Sequence, residues 1–355
     1  MGLNTNPFPP VLVKLLRRED LTAPEASSVL STILRGEATD AQVAGFAIAL
    51  RAKGETVVEI SALVRTMLEF AQKVPVPEQW HSEGLVDTCG TGGDRSGTVN
   101  VSTMAAFVVA GAGARVAKHG NRAASSACGS ADVLEALGVT LELGPDGVAR
   151  CIEEAGIGFC FAPAFHPALR FAGPARRELG VPTTFNFLGP LANPARVRRQ
   201  MVGVSDPAMA ELLIEVLGEL GASRAWVVYG DDGLDELTTT TTSHVLELHE
   251  GAVRRFVVDP VAHGLSLARP GDLLGGDAAR NADIAREVFG GGVGPVRDIV
   301  VLNAAAALVV AGYAEDLDEG IAKATASLDG GHARSALATL VEVSAREAEQ
   351  SGAAK

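Results

Sequence analysis

The stretch DTCGTGGDRSGTVNVST, residues 87–103, follows a short apolar run at 85–88 and leads into apolar residues at helical spacing over about 99–112. A strand ends, a Gly-rich loop turns, and a helix begins. Glycine permits positive φ and close approach of another chain. The first turn of a helix presents unpaired N–H groups and partial positive charge, which suits a phosphate. Thr98, Ser102 and Thr103 add hydroxyls there, and Asn100 adds an amide. The loop is neither GxxxxGK[ST] nor GxGxxG. It reads as a different phosphate loop or as a plain turn, and the polar cluster at the helix start favours the first.

Outward from this stretch, short apolar runs alternate with helical patterns. Strands are expected at 85–88, 115–118, 158–162, 201–204 and 225–229, and helices at about 99–112, 131–138, 146–156, 207–220 and 296–313. That alternation predicts an α/β domain with a mostly parallel sheet. Residues 243–258 hold Glu250-Gly251 between two strand-like runs and predict an antiparallel hairpin. Before residue 74 the texture is different. Leu12, Leu15, Leu16, Val43, Phe46, Ala47 and Leu50 recur at three- and four-residue spacing, so about 8–73 reads as a small helical domain. Thr22 precedes Pro24 and Glu25, a helix start, and Thr39-Asp40 offers another cap. Val74-Pro-Val-Pro77 bars helix continuation. The expected division is a helical domain over 1–76 and an α/β domain over 77–355. A proline-rich segment at about 167–198 is expected to cross back onto the first.

Composition narrows the classes. The net charge of −13 disfavours duplex binding, which needs a basic face. It leaves room for a small phosphorylated ligand held by a local nest of N–H groups. Cys89, Cys128, Cys151 and Cys160 form no C-x-x-C pair, so reduced thiols in a cytoplasmic protein are expected. The N-terminus has no signal-peptide pattern. The longest apolar run, Ile299 to Ala311, is broken by Asn303 and is too short for a bilayer, so it reads as a buried helix.

Three further stretches carry chemistry. Residues 118–132, KHGNRAASSACGSAD, place Lys118, His119, Asn121, Arg122, Ser125, Ser126 and Ser130 at a strand end, where open α/β sheets bind ligands. Lys118 is a point charge for pyrophosphate; His119 reads as an orienting donor more than as a base. Residues 231–238, DDGLDELT, hold Asp235 and Glu236 just past a strand, hard carboxylates suited to Mg2+, with Asp231 and Asp232 as turn residues. In PARREL, residues 174–179, one of Arg176 and Arg177 is placed to clamp a carboxylate.

Taken in order, DTCGTGGD (87–94), NVST (100–103), KHGNRAASSACGSADVLEALG (118–138), RRELG (176–180), FNFLGPLANP (185–194), GLDEL (233–237) and RDIVVLNAAAALVVAG (297–312) resemble the anthranilate phosphoribosyltransferases. The resemblance spans roughly residues 10 to 345. It implies the nucleoside phosphorylase/phosphoribosyltransferase-like fold: a small all-helical N-terminal domain plus a larger α/β domain, paired as a homodimer. It implies Mg2+-dependent transfer of phosphoribosyl from phosphoribosyl pyrophosphate to anthranilate, with two ions per site and no nucleic acid or membrane partner. Gly90, Gly93, Asp94, Thr98, Asn100, Val101, Ser102 and Thr103 are implied as the pyrophosphate cradle. Lys118, His119, Gly120, Asn121, Arg122, Ser125, Ser126 and Ser130 are implied as ribose-phosphate contacts. Asn121 and Arg176, with Gly90, are implied to meet anthranilate, and Ser102, Asp235 and Glu236 to hold Mg2+. A nucleoside phosphorylase of the same fold would not need the acidic pair. A non-catalytic, nucleic-acid-binding relative should be basic.

Overall fold

A computed structural model of the chain describes residues 6–123 and 127–352. Its first part is four helices: α1 (Phe8–Leu16), α2 (Ala23–Leu34), α3 (Asp40–Lys53) and α4 (Val57–Glu69). The last three each start on a capping box. Thr22, Thr39 and Thr56 accept a bond from the backbone N–H of Glu25, Gln42 and Glu59, whose side chains return to the threonine N–H. Each such cap is worth about 1 kcal/mol. The Thr22 and Thr39 starts match the sequence reading; the Thr56 start was not read. Beyond α4 the chain runs extended, and Gln72 and Val74 donate to the carbonyls of Phe165 and Pro194.

The second part is built on one seven-stranded sheet in the order β3-β2-β1-β4-β5-β6-β7. The strands are β1 (Val86–Gly90), β2 (Val116–Gly120), β3 (Ile157–Phe161), β4 (Arg199–Gly203), β5 (Arg224–Gly230), β6 (Ser243–His249) and β7 (Ala252–Val258). The first five run parallel; β6 and β7 are antiparallel additions. Each of the five strand expectations falls within two residues of an observed strand start. The expected hairpin is β6–β7, turned by Glu250 (φ 50°) and Gly251 (φ 77°). Two successive positive φ values are what a two-residue type I′ turn requires.

The five parallel strands are buried on both faces, β7 is largely exposed, and side-chain alternation divides the core. On β5, Trp226 and Val228 join the cluster that holds helices Val101–Gly111 and Pro295–Ala311. Ala225 and Val227 join the other, which continues into α1–α4. That second core also takes Ala172, Ala175, Phe185, Phe187, Leu188 and Leu191 from the crossing segment. The segment contains helices Gly173–Leu179 and Phe185–Leu191, packed on α3 and α4 respectively. Sequence reading assigned no helix there, nor at Ala278–Phe289, Leu317–Asp329 or His332–Ser351. In the crossing segment the two helices were hidden by Pro190 inside the second and Pro174 at the start of the first. The apolar run at 299–311 is a buried helix, as expected, and no described helix is long and apolar enough to cross a membrane.

The strand order reverses between β1 and β4, which are neighbours although β2 and β3 intervene in sequence. Such a switch point leaves a crevice beyond the carboxyl ends of the two strands, where open α/β sheets bind ligands.

Candidate active site

Gly90 ends β1 and Gly203 ends β4, and the two are register partners. The loop carrying Asp235 lies directly on both. A Cβ on Gly90 would stand 2.3 Å from Asp235 Oδ2, and one on Gly203 would stand 1.6 Å from the Asp235 carbonyl oxygen. Only glycine at these two ends lets the acidic loop settle into the switch point. The Thr91 N–H donates to the Gly203 carbonyl (2.9 Å), so the phosphate-type loop leaves β1 already tied to β4.

Gly92, Gly93, Arg95 and Gly97 all have positive φ, which coils the loop back on itself. Asp94 fixes the coil by accepting from the Ser96 hydroxyl (2.6 Å) and N–H (3.3 Å), and Ser96 Oγ lies 3.0 Å from Thr98 Oγ1. Thr98 pairs with Leu274 as an isolated bridge, and the Val99 N–H donates to the Leu273 carbonyl (3.0 Å). Asn100 stands at the N-cap of Val101–Gly111. Its amide donates to the Cys128 carbonyl (3.1 Å) and accepts from Asn281 (2.9 Å). Thr103 is buried in the first turn.

The acidic pair faces this cradle. Asp235 Oδ2 accepts from the Gly92 N–H (2.7 Å), and Glu236 Oε1 accepts from the Ser102 N–H (3.1 Å). Leu234 and Leu237, both buried, anchor the pair on either side. Burial, with the Asp94 charge, pushes Asp235 up to about 6. Burial, with the Asp235 charge, pushes Glu236 up to about 8. Two like charges buried together make a field that a cation would relieve. Their oxygens are the hard donors a divalent ion of the Mg2+ type prefers. No third His, Cys, Asp or Glu joins them in ligating geometry among the described residues, although the Asp94 charge is near enough to act on Asp235. An ion held here would complete its shell with water and phosphate oxygens, as Mg2+ does.

Lys118 approaches from beneath. It is 1% exposed, and its ammonium donates to the Thr88 carbonyl (2.5 Å) and the Ser102 hydroxyl (3.4 Å). Burial lowers its pKa, while Asp87, Cys89 and Glu236 oppose the shift. Asp87, fully buried and pushed up to about 6 by burial, accepts from the His119 N–H (3.1 Å) and the Asn193 amide (2.7 Å). Asp87 therefore stitches β1 to β2 and to the crossing segment, a role sequence reading did not give it.

The remaining candidates separate. The His119 ring is buried, Nδ1 lies 3.0 Å from the Gly189 carbonyl oxygen, and the ring stands 5.1 Å from that of His166. Burial and the His166 ring push it down to about 3, so it stays neutral at physiological pH and orients rather than titrates. The Asn121 side chain accepts from the Arg122 N–H (2.8 Å), and its carbonyl accepts from the Ala131 N–H. Arg122 is already paired with Asp132 (3.1 Å) and Glu135 (2.8 Å). Gly120 ends β2 against Phe159 and Ser130, where a Cβ would stand 2.8 Å from the ring. Ser130 starts helix Ser130–Ala136. Ser125 and Ser126 lie outside the described residues. Arg176, in the crossing segment, sits over the Phe185 ring (5.7 Å) with no hydrogen bond or ion pair among the described residues, and burial lowers its pKa. Arg177 is exposed. Asp231 and Asp232 are turn residues, bonded to Thr242 and His244 and to Thr238 and Thr240. Cys89, buried beside the loop, has its thiol pushed well up by burial.

Sequence reading quoted Asn193 within FNFLGPLANP without a role, and missed Ser205 and Asn281. Ser205 Oγ donates to the Gly92 carbonyl (3.0 Å), and Asn281 reaches Asn100 from 181 residues away. No local pattern marks either one. A surface cleft of about 580 Å3 lies elsewhere, lined by Arg224, His249, Arg254 and Tyr313. Both of its arginines are already paired with Glu247, so it offers no free cation.

Comparison with known proteins gives a consistent result. Residues 82–334 match the glycosyl transferase family a/b domain, and residues 9–71 match its helical bundle domain. An anthranilate phosphoribosyltransferase of Nocardioides sp. is 54% identical over 344 residues, covering 96% of this chain and 99% of the relative. One of Salinispora arenicola is 51% identical, covering 97% and 98%. The crystal structure of the Thermus thermophilus enzyme superposes with a TM-score of 0.88 at 42% identity, over 94% of this chain and 99% of that one. The Saccharomyces cerevisiae enzyme in complex with PRPP and Mg superposes with a TM-score of 0.87 at 26% identity, over 95% and 97%.

Proposed function

The chain belongs to the anthranilate phosphoribosyltransferase family, and from that membership we propose which of its residues carry the reaction. The activity is that of a pentosyltransferase of tryptophan biosynthesis. It moves the 5-phosphoribosyl group from phosphoribosyl pyrophosphate to the amine of anthranilate and releases pyrophosphate. The observation that carries the residue assignment is the acidic pair. Asp235 and Glu236 are half-buried at the switch point between buried Leu234 and Leu237, each accepting from a backbone N–H of the Gly-rich cradle.

Asp235 and Glu236, with the Ser102 hydroxyl, are the groups that would hold Mg2+. Their two carboxylates bond to different parts of the cradle, at Gly92 and at Ser102, and two ions per site is the number proposed. Bound Mg2+ offsets the charge that gathers on the departing pyrophosphate. The residues of the chain do the rest by position. The loop N–H groups that donate to no protein acceptor among the described residues, at Gly93, Asp94, Arg95 and Gly97, are assigned to pyrophosphate oxygens, and the start of Val101–Gly111 adds its partial positive charge. Lys118 adds its charge through Ser102. The stretch from Gly120 to Ser130, which follows β2 in sequence, is assigned to the ribose phosphate, and Asn121 is assigned to the acceptor. Arg176 has no anionic partner among the described residues and is assigned to the anthranilate carboxylate, which a guanidinium binds bidentately. As C1 loses pyrophosphate and becomes electron-poor, the aromatic amine attacks from the opposite face. It is neutral and nucleophilic already, so no strong base is required. Neutral His119 fits that requirement.

Two helical domains pair to make the dimer. Val13, Leu16 and Ile48 are exposed on α1 and α3, and Leu16 is 78% exposed. Cys89, Cys128, Cys151 and Cys160 are buried and form no disulfide among the described residues, which with the pathway supports work in the cytoplasm.

The test is the decay of anthranilate fluorescence with purified protein, phosphoribosyl pyrophosphate and Mg2+. Decay that requires all components and stops with EDTA is the expected result. Steady fluorescence from folded protein would overturn the assignment.

A further inference from the structure

Asn303 is an amide inside a helix that has no apparent use for one. In Pro295–Ala311 every residue from Ile299 to Ala311 is buried, and Asn303 is 1% exposed among alanines, valines and leucines. A leucine occupies nearly the same volume with no polar atoms to satisfy. Core filling alone therefore gives no reason for an amide here.

Its hydrogen bonds give one. Oδ1 accepts from the Leu237 N–H (3.0 Å), and Nδ2 donates to the Leu237 carbonyl (2.8 Å) and to the Ile299 carbonyl (2.9 Å). The side chain grips both peptide groups of one distant residue, as a neighbouring strand would. Leu237 follows Glu236 directly. Residues 231–242 contain neither helix nor strand, so no regular ladder holds the acidic pair. The loop is also tied where the Gly230 N–H meets the Leu234 carbonyl (2.9 Å) and the Thr238 N–H meets Ser243 Oγ (2.9 Å). Asn303 is the tie to the opposite layer. The same helix packs against Val101–Gly111, which presents the Ser102 N–H to Glu236. One rigid element thereby supports the carboxylates and the cradle they face.

We propose that Asn303 is a positioning residue of the metal site: by holding the Leu237 peptide groups it fixes where Asp235 and Glu236 stand against Gly92 and Ser102. The inference rests on the reading of that pair as the Mg2+ ligands.

Two variants of the full chain test it. Asn303→Asp keeps the shape and an acceptor but loses the amide donors. Asn303→Ser is uncharged and too short to reach Leu237. Mn2+ binding by electron paramagnetic resonance supplies a readout independent of turnover. Groups that orient metal ligands typically govern affinity by about 10- to 100-fold, so both variants should weaken Mn2+ binding, and raise the Mg2+ concentration for half-maximal turnover, by about tenfold or more. The KM for anthranilate should stay within about twofold. Ser344→Ala is the control. It removes a buried hydroxyl bonded to the Thr140 N–H (3.1 Å) in another part of the core, so it should lower the melting temperature without moving Mn2+ affinity. A folded Asn303 variant with parental Mn2+ affinity would overturn the proposal. So would an equal shift in Ser344→Ala, or failure of both Asn303 variants to fold where Ser344→Ala folds. Glu236→Gln, run in parallel, separates the two readings. If it also binds Mn2+ at the parental level, the acidic pair is not the ligand set. If it alone weakens binding, only the role of Asn303 is lost.

Discussion

Gly203 lies so close under Asp235 that a single methyl on it would stand 1.6 Å from the Asp235 carbonyl oxygen. The contact is with backbone, which cannot swing aside as a side-chain tip can. Gly203→Ala therefore has to lift the acidic loop off the sheet. Overpacking of this kind costs about 1–3 kcal/mol. The expected outcome is a lower melting temperature together with a fall in kcat of about 100-fold, since small misplacements in a site can cost that much. Thermal melts and anthranilate fluorescence check it. Parental kcat in Gly203→Ala would mean the position of Asp235 does not matter.

Glu236 exposes a conflict between stability and function. Its carboxyl is pushed up to about 8 in the fold, against an ordinary value of 4.5. Between those limits the folded chain holds a proton that the unfolded chain has released, so stability falls as pH rises from about 4.5 to about 8. Asp235, pushed up to about 6, adds to the same slope over the lower part of that window. Without divalent ion, Glu236→Gln should gain about 1–3 kcal/mol at pH 8 and little at pH 4.5. The same variant should lose nearly all turnover. Denaturant melts at the two pH values decide the matter; equal stability changes at both would reject the proton linkage.

Mg2+ should stabilise the parental chain more at pH 8 than at pH 5, because ligands must be ionised to bind. Melting temperature with and without the ion at each pH gives the comparison. A shift that is independent of pH would place the ion elsewhere.

Arg176 has no anionic partner among the described residues, so removing it strands no carboxylate there. Arg176→Ala should raise the KM for anthranilate by about 10- to 100-fold, with the KM for phosphoribosyl pyrophosphate nearly unchanged. Steady-state kinetics with each substrate varied in turn show the split. Unchanged KM for anthranilate removes this residue from the acceptor site.

Leu16 should matter to assembly alone. Leu16→Glu puts a charge into an apolar surface patch without touching the core, so light scattering should report monomers where the parental chain gives dimers. A parental molar mass in the variant would move the interface elsewhere.

The sequence was readable where chemistry is local. The Gly-rich loop, the alternating runs and the Glu250-Gly251 turn each carry their reason within a few residues, and the structure has the corresponding elements. The acidic pair was readable as hard donors at a strand end. What could not be read is whatever depends on a partner far along the chain. Nothing near Asn303 points to Leu237, 66 residues earlier, and nothing near Asn281 points to Asn100. Gly203 looked like any strand-end glycine until Asp235 was placed on it. The helices of the crossing segment were hidden differently: their prolines argue locally against the form that packing on α3 and α4 imposes.

The shared core of α1–α4 and the crossing segment has a consequence for synthesis. The helices are complete at Glu69, but Phe185, Phe187 and Leu191, which cover them, emerge roughly 120 residues later. At about 5–20 residues per second, that is a delay of some 6–24 s on the ribosome. During it the amino-terminal helices carry an uncovered greasy surface and cannot reach their final stability. The emerging chain then has a long window in which a chaperone is its natural companion, and the helical bundle, although made first, is not safe when it is made.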